Sequence, residues 1–137
     1  MTITTRQAEG SVPVTILCLH GDLDASNYLD VIDAAREAYD AGARHILLDM
    51  SDVPFMSSSG LMALHSIALL MRGEEPPDPE YGWSAFHTMS RDTEQGSVQT
   101  QVKLASVQPR VERALRMARF DQYFECYANQ EEAVASF

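Results

Sequence analysis

Three consecutive hydroxyls followed by a glycine, Ser57-Ser58-Ser59-Gly60, stand in this chain where one apolar run hands over to another. At a helix start a serine oxygen accepts a hydrogen bond from an amide of the first turn. A surface serine there is also open to a kinase, which would turn the hydroxyl into a dianion. The run is therefore either a plain helix cap or a phosphorylation switch, and the tetrapeptide alone does not separate the two.

Nucleophilic catalysis asks more of the same hydroxyls. It needs a base within hydrogen-bond reach, and the usual nucleophile elbow places glycine two residues before the serine, where this chain has Met56. His65 lies seven residues beyond Ser58 on the same expected helix, about 10 Å along its axis, out of reach of the Ser58 proton. His45 falls in a strand and His87 in a polar stretch, which leaves His20 as the one histidine able to approach. A hydrolase is not indicated. Asp22 and Asp24 form an Asp-x-Asp turn without further acidic ligands, weak as a metal or acid–base site and ordinary as the lead-in to a helix. Cys18 and Cys126 each sit alone in an apolar segment without zinc spacing, and both are expected to be free, buried thiols.

The elements that must position these groups follow from the hydrophobic pattern. Residues 43–50 read as a buried strand and 51–54 as the turn leaving it. Residues 61–71 read as a helix. Before the strand comes an amphipathic helix with Tyr28, Leu29, Ile32, Ala35 and Tyr39 on one face, ended by Gly42. It is preceded by Gly21-Asp22-Leu23-Asp24 and by a strand over 14–19. Later, 101–105 reads as a strand, and Pro109 opens a helix where its missing N–H costs least. That helix would bury Val111, Ala114, Leu115 and Ala118 and carry Arg110, Arg113, Arg116 and Arg119 around its other faces, either as a solvated face paired with nearby acids or as a binding surface, the first being the commoner case. A strand over 122–127 and a helix near 130–136 close the chain. Alternating β and α segments predict a mostly parallel sheet with helices packed against it.

In this order and spacing the chain resembles a STAS domain of the anti-sigma-factor antagonist type. The resemblance runs from a first strand near 2–7 to the last helix and implies an α/β fold, with a sheet of four to five strands and about four helices. It also implies that Ser58 is the phosphoacceptor, that Ser59 and Gly60 complete the acceptor motif, and that Asp24 is the acid held close to the serine loop. Ser57 stands where the family usually carries aspartate, so the carboxylate that the family has there to orient the hydroxyl or to be read by the kinase is missing. The implied function is phosphorylation-controlled binding to an anti-sigma factor that is also a serine kinase, with release of a sigma factor. A STAS-like scaffold or ligand-binding module that is never phosphorylated is the alternative.

Composition agrees with a small binding module. With 45% apolar residues, 137 residues can bury one sizeable core, and one domain is expected. The balance of 20 acids to 10 bases gives a net charge of −10, which repels nucleic-acid phosphates and anionic membranes and favours a basic or amphoteric protein as the partner. No leader or apolar run of about 20 residues is present, so a cytoplasmic protein is expected. No cofactor or metal is called for, and a homodimer is compatible with the sequence. Residues 73–100, rich in proline, acids and then serine, threonine and glutamine, read as an insertion beyond the few residues that usually join a helix to a strand.

Overall fold

The computed structural model describes residues 1–74 and 98–137. The expected insertion falls almost wholly on 75–97, outside the described residues. The described elements are β1 (Thr2–Glu9), β2 (Pro13–His20), α1 (Tyr28–Asp40), β3 (Ile46–Asp52), α2 (Ser58–Met71), β4 (Val102–Ala105), α3 (Pro109–Met117), β5 (Cys126–Tyr127) and α4 (Gln130–Ser136). They form the α/β architecture that the alternation predicts: one sheet in the order β1-β2-β3-β4-β5, antiparallel between β1 and β2 and parallel elsewhere.

Parallel strands must be covered on both faces, and the middle of this sheet reads accordingly: Ile46 to Met50 are all buried. Successive side chains point to opposite faces. Ile46, Leu48 and Met50 join Leu17, Leu19 and Leu104 in the larger core beneath α1, α2 and α3, together with Val31, Leu64 and Val111. Leu47, with Val14, Ile16 and Ala105, meets Ala133 of α4 on the opposite face. Helix α1 ends at Gly42, whose φ of 110° suits glycine, and the return bonds Gly42 N–H to Tyr39 O and Ala43 N–H to Ala38 O close the turn.

Several expectations need correction. Leu29 does not belong to the buried face of α1 but is 47% exposed; Val31, Ile32 and Ala35 carry the contact, and Leu29 lies about 100° round the helix from Tyr28. Strand β3 runs through Ser51 and Asp52, read above as a turn, because β2 continues beside it as far as His20. The strand expected over 122–127 shrinks to Cys126–Tyr127, since Phe120, Tyr123 and Phe124 turn inward as an aromatic cluster with ring centroids 5.0 to 5.8 Å apart. Both cysteines are free, yet Cys18 is half-buried and Cys126, on the edge strand, is exposed. Helix α3 buries Val111 and Leu115, while Ala114 and Ala118 stay half-covered.

Candidate functional site

The serine run lies on the segment joining β3 to α2, and backbone bonds fix its position. Leu23 N–H donates to Phe55 O at 3.0 Å and Ser57 N–H to Leu23 O at 2.9 Å, a single parallel bridge between Leu23 and Met56. The Gly-Asp-Leu-Asp loop and the serine segment are thus stitched together, with Leu23 and Met56 both buried beneath. Gly60 is the other fastening. A Cβ there would lie 2.4 Å from Met56 Cγ, 3.0 Å from Leu23 Cγ and 3.1 Å from Leu23 O, so only glycine lets the first turn of α2 come this close. This bridge has no signature in the sequence beyond the apolar residues at 23 and 56.

On that platform the three serines differ. Ser57 is the N-cap, in extended backbone, but its hydroxyl makes no capping bond; Oγ is buried without a hydrogen-bond partner. The capping expected of it is therefore not made, because the bridge to Leu23 turns this residue inward. Ser58 is the first residue of α2 and is exposed, Ser59 is half-buried, and Gly60 is buried. The first amides of a helix have no intrahelical acceptor, so the Ser58 hydroxyl stands beside N–H groups and the positive end of the α2 dipole.

Asp24 sits one residue beyond the bridge, but its carboxylate is engaged within its own loop. Its Oδ1 accepts from the Ser26 hydroxyl at 2.5 Å and the Ser26 N–H at 2.9 Å, and these bonds, the hydroxyl's first, hold the acid below the usual carboxylate value. Asn27 completes the loop, accepting from Asp24 N–H and donating to Asp22 O. No hydrogen bond joins Asp24 to any of the three serines among the described residues. The lead-in to α1 is thus organised by Asp24 and Asn27 together.

Among the described residues no base approaches the serines either; His87 lies outside them. His20 Nδ1 pairs with Asp52 Oδ2 at 2.9 Å and its Nε2 lies 3.4 Å from Thr4 Oγ1, at the outer side of the sheet end. His65 is fully buried, its ring 6.0 Å from that of Tyr123, and His45 stacks edge-on against Phe137. Among the described residues no group of three or more His, Cys, Asp or Glu is placed to hold a metal ion, and no helix is long and apolar enough to cross a membrane. Beside the serine segment, Phe55 is 37% exposed and carries the Arg110 guanidinium 5.2 Å from its ring centroid, a contact between distant segments that the sequence did not announce.

A polar network around the buried Asp49 ties this region to the far face of the sheet. Asp49, in the middle of β3, accepts from Ser51 N–H at 2.9 Å and from the Gln130 side-chain amide, which in turn accepts from Arg6. Burial pushes the Asp49 carboxyl up, but the bonds from Ser51 and Gln130, with help from His20, outweigh it and leave the acid below its usual value. Gln108 donates to Ser51 O at 2.7 Å, so both backbone groups of Ser51 are held by side chains, the N–H from within β3 and the carbonyl from the N-cap of α3.

Comparison with known proteins places this geometry. The model of the STAS domain family matches residues 5–73, about half of the chain. No protein of curated function matches in sequence. Among solved structures, a provisionally assigned anti-sigma factor antagonist from Thermotoga maritima superposes with a TM-score of 0.66 at 19% identity over 96% of this chain and 90% of its own. An anti-sigma factor antagonist from Mycobacterium paratuberculosis gives 0.62 at 18%, over 98% and 93%. The Bacillus cell fate determinant SpoIIAA in its phosphorylated form gives 0.54 at 13%, over 97% and 96%. At these identities the likeness is one of fold.

Proposed function

The chain belongs to the STAS domain family, and on that premise we propose that it is a phosphorylation-controlled protein-binding module of the anti-sigma-factor antagonist kind, with Ser58 as its acceptor. The observation that carries this reading is the placement of Ser58. It is exposed at the first position of α2, on a platform that Leu23 and Gly60 lock to the neighbouring loop. Unmodified, that platform docks on an anti-sigma factor that is also a serine kinase, and the sigma factor is released. The kinase brings the ATP; the module itself performs no catalysis and needs no cofactor, and the setting is the cytoplasm.

Phosphate on Ser58 would add about −1.5 to −2 charges at a helix N-terminus, where the dipole and free amides accept them without unfolding the domain. The cost falls on the interface. A dianion against a partner surface fitted to a neutral hydroxyl removes complementarity, and a coupling of roughly 1–3 kcal/mol corresponds to about 5- to 150-fold in affinity. Asp24, ionised beside the same platform, adds to the negative charge there.

One observation favours a second reading, a STAS scaffold that is never phosphorylated. The residue before Ser58 offers no carboxylate, and the Ser57 hydroxyl that replaces it is turned inward and unpaired. Binding measurements separate the two. With the candidate anti-sigma factor, Ser58→Ala should keep the wild-type affinity while escaping modification, and Ser58→Asp should weaken binding with little loss of stability. Equal affinity for all three forms would favour the scaffold.

A further inference from the structure

Helix α3 carries an exposed strip that the serine platform does not use. Arg110, Arg113 and Met117 are spaced by three and four residues, which at about 100° per residue places all three within roughly 60° of arc. This strip lies away from Val111 and Leu115, which bury the opposite side of the helix. Met117 is 82% exposed. Arg116 on the flank is paired with Glu112 at 2.6 Å, as expected of arginines in an acidic chain. Arg119 lies beyond the helix end, at a φ of 62°. Arg110 and Arg113 differ from Arg116: among the described residues neither has an acidic partner. Arg110 rests instead over the ring of Phe55, two residues before the N-cap of α2, so the strip is continuous with the serine platform.

Two exposed guanidiniums without an acid among the described residues are unexpected in a chain of net charge −10, where pairing partners abound. Arginine lying on an aromatic ring beside an exposed methionine is also the composition that dominates binding energy at protein interfaces, since guanidinium is weakly hydrated and reads carboxylates bidentately. We propose that Arg110, Arg113, Met117 and Phe55 form a docking surface for an acidic segment of a partner protein, one that alternates carboxylates with apolar side chains. The inference rests on the reading of the serine platform as a protein-docking site and extends that site along α3. Carboxylates of the partner pair with Arg110 and Arg113 while its apolar side chains cover Met117 and Phe55. The acids that crowd the rest of the surface repel such a segment, which gives the contact its register.

The test needs no knowledge of the natural partner. A fluorescein-labelled peptide of about twelve residues alternating Glu and Leu is titrated into the full chain at low salt, followed by anisotropy and by amide shifts in heteronuclear NMR. The amides of Phe55, Arg110, Arg113 and Met117 should shift together. Arg110→Gln with Arg113→Gln should weaken the peptide about tenfold, whereas Arg116→Gln should change it less than twofold, and circular dichroism should confirm that both variants fold. A Lys/Leu peptide should leave the same amides unmoved. Ser58→Ala should bind the acidic peptide within twofold of wild type, so failure of phosphorylation and failure of this surface are read separately. Unchanged affinity in the double variant, or shifts confined to other elements, would overturn the proposal. So would shifts of the same amides with protein concentration alone, since the occupant would then be a second copy of the chain.

Discussion

Replacing Gly60 with alanine adds one methyl group to a helix, a change that ordinarily stabilises. In the first turn of α2 the sign should reverse. The new Cβ would stand 2.4 Å from Met56 Cγ, closer than real Cβ contacts come, and 3.1 Å from Leu23 O, a backbone atom held in place by its bond from Ser57 N–H. Overpacking of this kind costs about 1–3 kcal/mol. The gain in helix propensity returns roughly 0.5–1 kcal/mol, leaving a net loss centred on about 1 kcal/mol. Thermal unfolding monitored by circular dichroism measures it, with an expected drop in melting temperature of roughly 4 °C per kcal/mol. A double-mutant cycle locates the cause. Met56→Ala on its own costs ~2–5 kcal/mol, but in that background Gly60→Ala should cost clearly less, because the nearest clashing atom has gone. Neutral or raised stability in Gly60→Ala would refute the argument that glycine is required for the loop and the serine segment to meet.

Other consequences concern the far face and residues 75–97. The folded Asp49 carboxyl ionises at lower pH than its unfolded counterpart, so its contribution is complete above pH ~4–5 and is lost as pH falls through the folded value; the stability gap between wild type and Asp49→Asn should narrow between pH 5 and pH 3 in urea titrations. Gln130→Ala removes the amide that serves both Asp49 and Arg6 and should cost about 1–3 kcal/mol by the same assay. Replacing residues 75–97 with a short Gly/Ser linker should change stability by less than ~2 kcal/mol, since loop-closure entropy varies only logarithmically with length; a larger loss would show that large side chains of this stretch pack into the core.

The parts of the fold written in local pattern were legible. The apolar run at 46–50, the helix over Leu61 to Met71, Pro109 at the start of α3 and Gly42 at the end of α1 each follow from residues close in sequence. What was not legible depends on contacts between distant segments. Whether Phe124 extends a strand or turns inward is decided by its neighbours Phe120 and Tyr123, and periodicity cannot weigh that. Asp49 within an apolar run and Lys103 between Val102 and Leu104 were visible anomalies. Gln130 for the acid and Ser136 for the lysine become neighbours only once α4 lies across the sheet, and Glu125 reaches the lysine only once β5 pairs with β4. The serine platform was legible in its residues and not in its fastening, because the Leu23 bridge joins two short loops about 30 residues apart.

Mass spectrometry of the phosphorylated protein tests the central claim most directly. The full chain is incubated with ATP and the candidate anti-sigma factor kinase, its intact mass is measured, and the modified residue is mapped by fragmentation before and after complex formation is assayed. A single phosphate on Ser58, absent in Ser58→Ala and accompanied by loss of the complex, is the predicted result. Phosphate on Ser57 or Ser59, or a stable complex whose components never transfer phosphate, would contradict it.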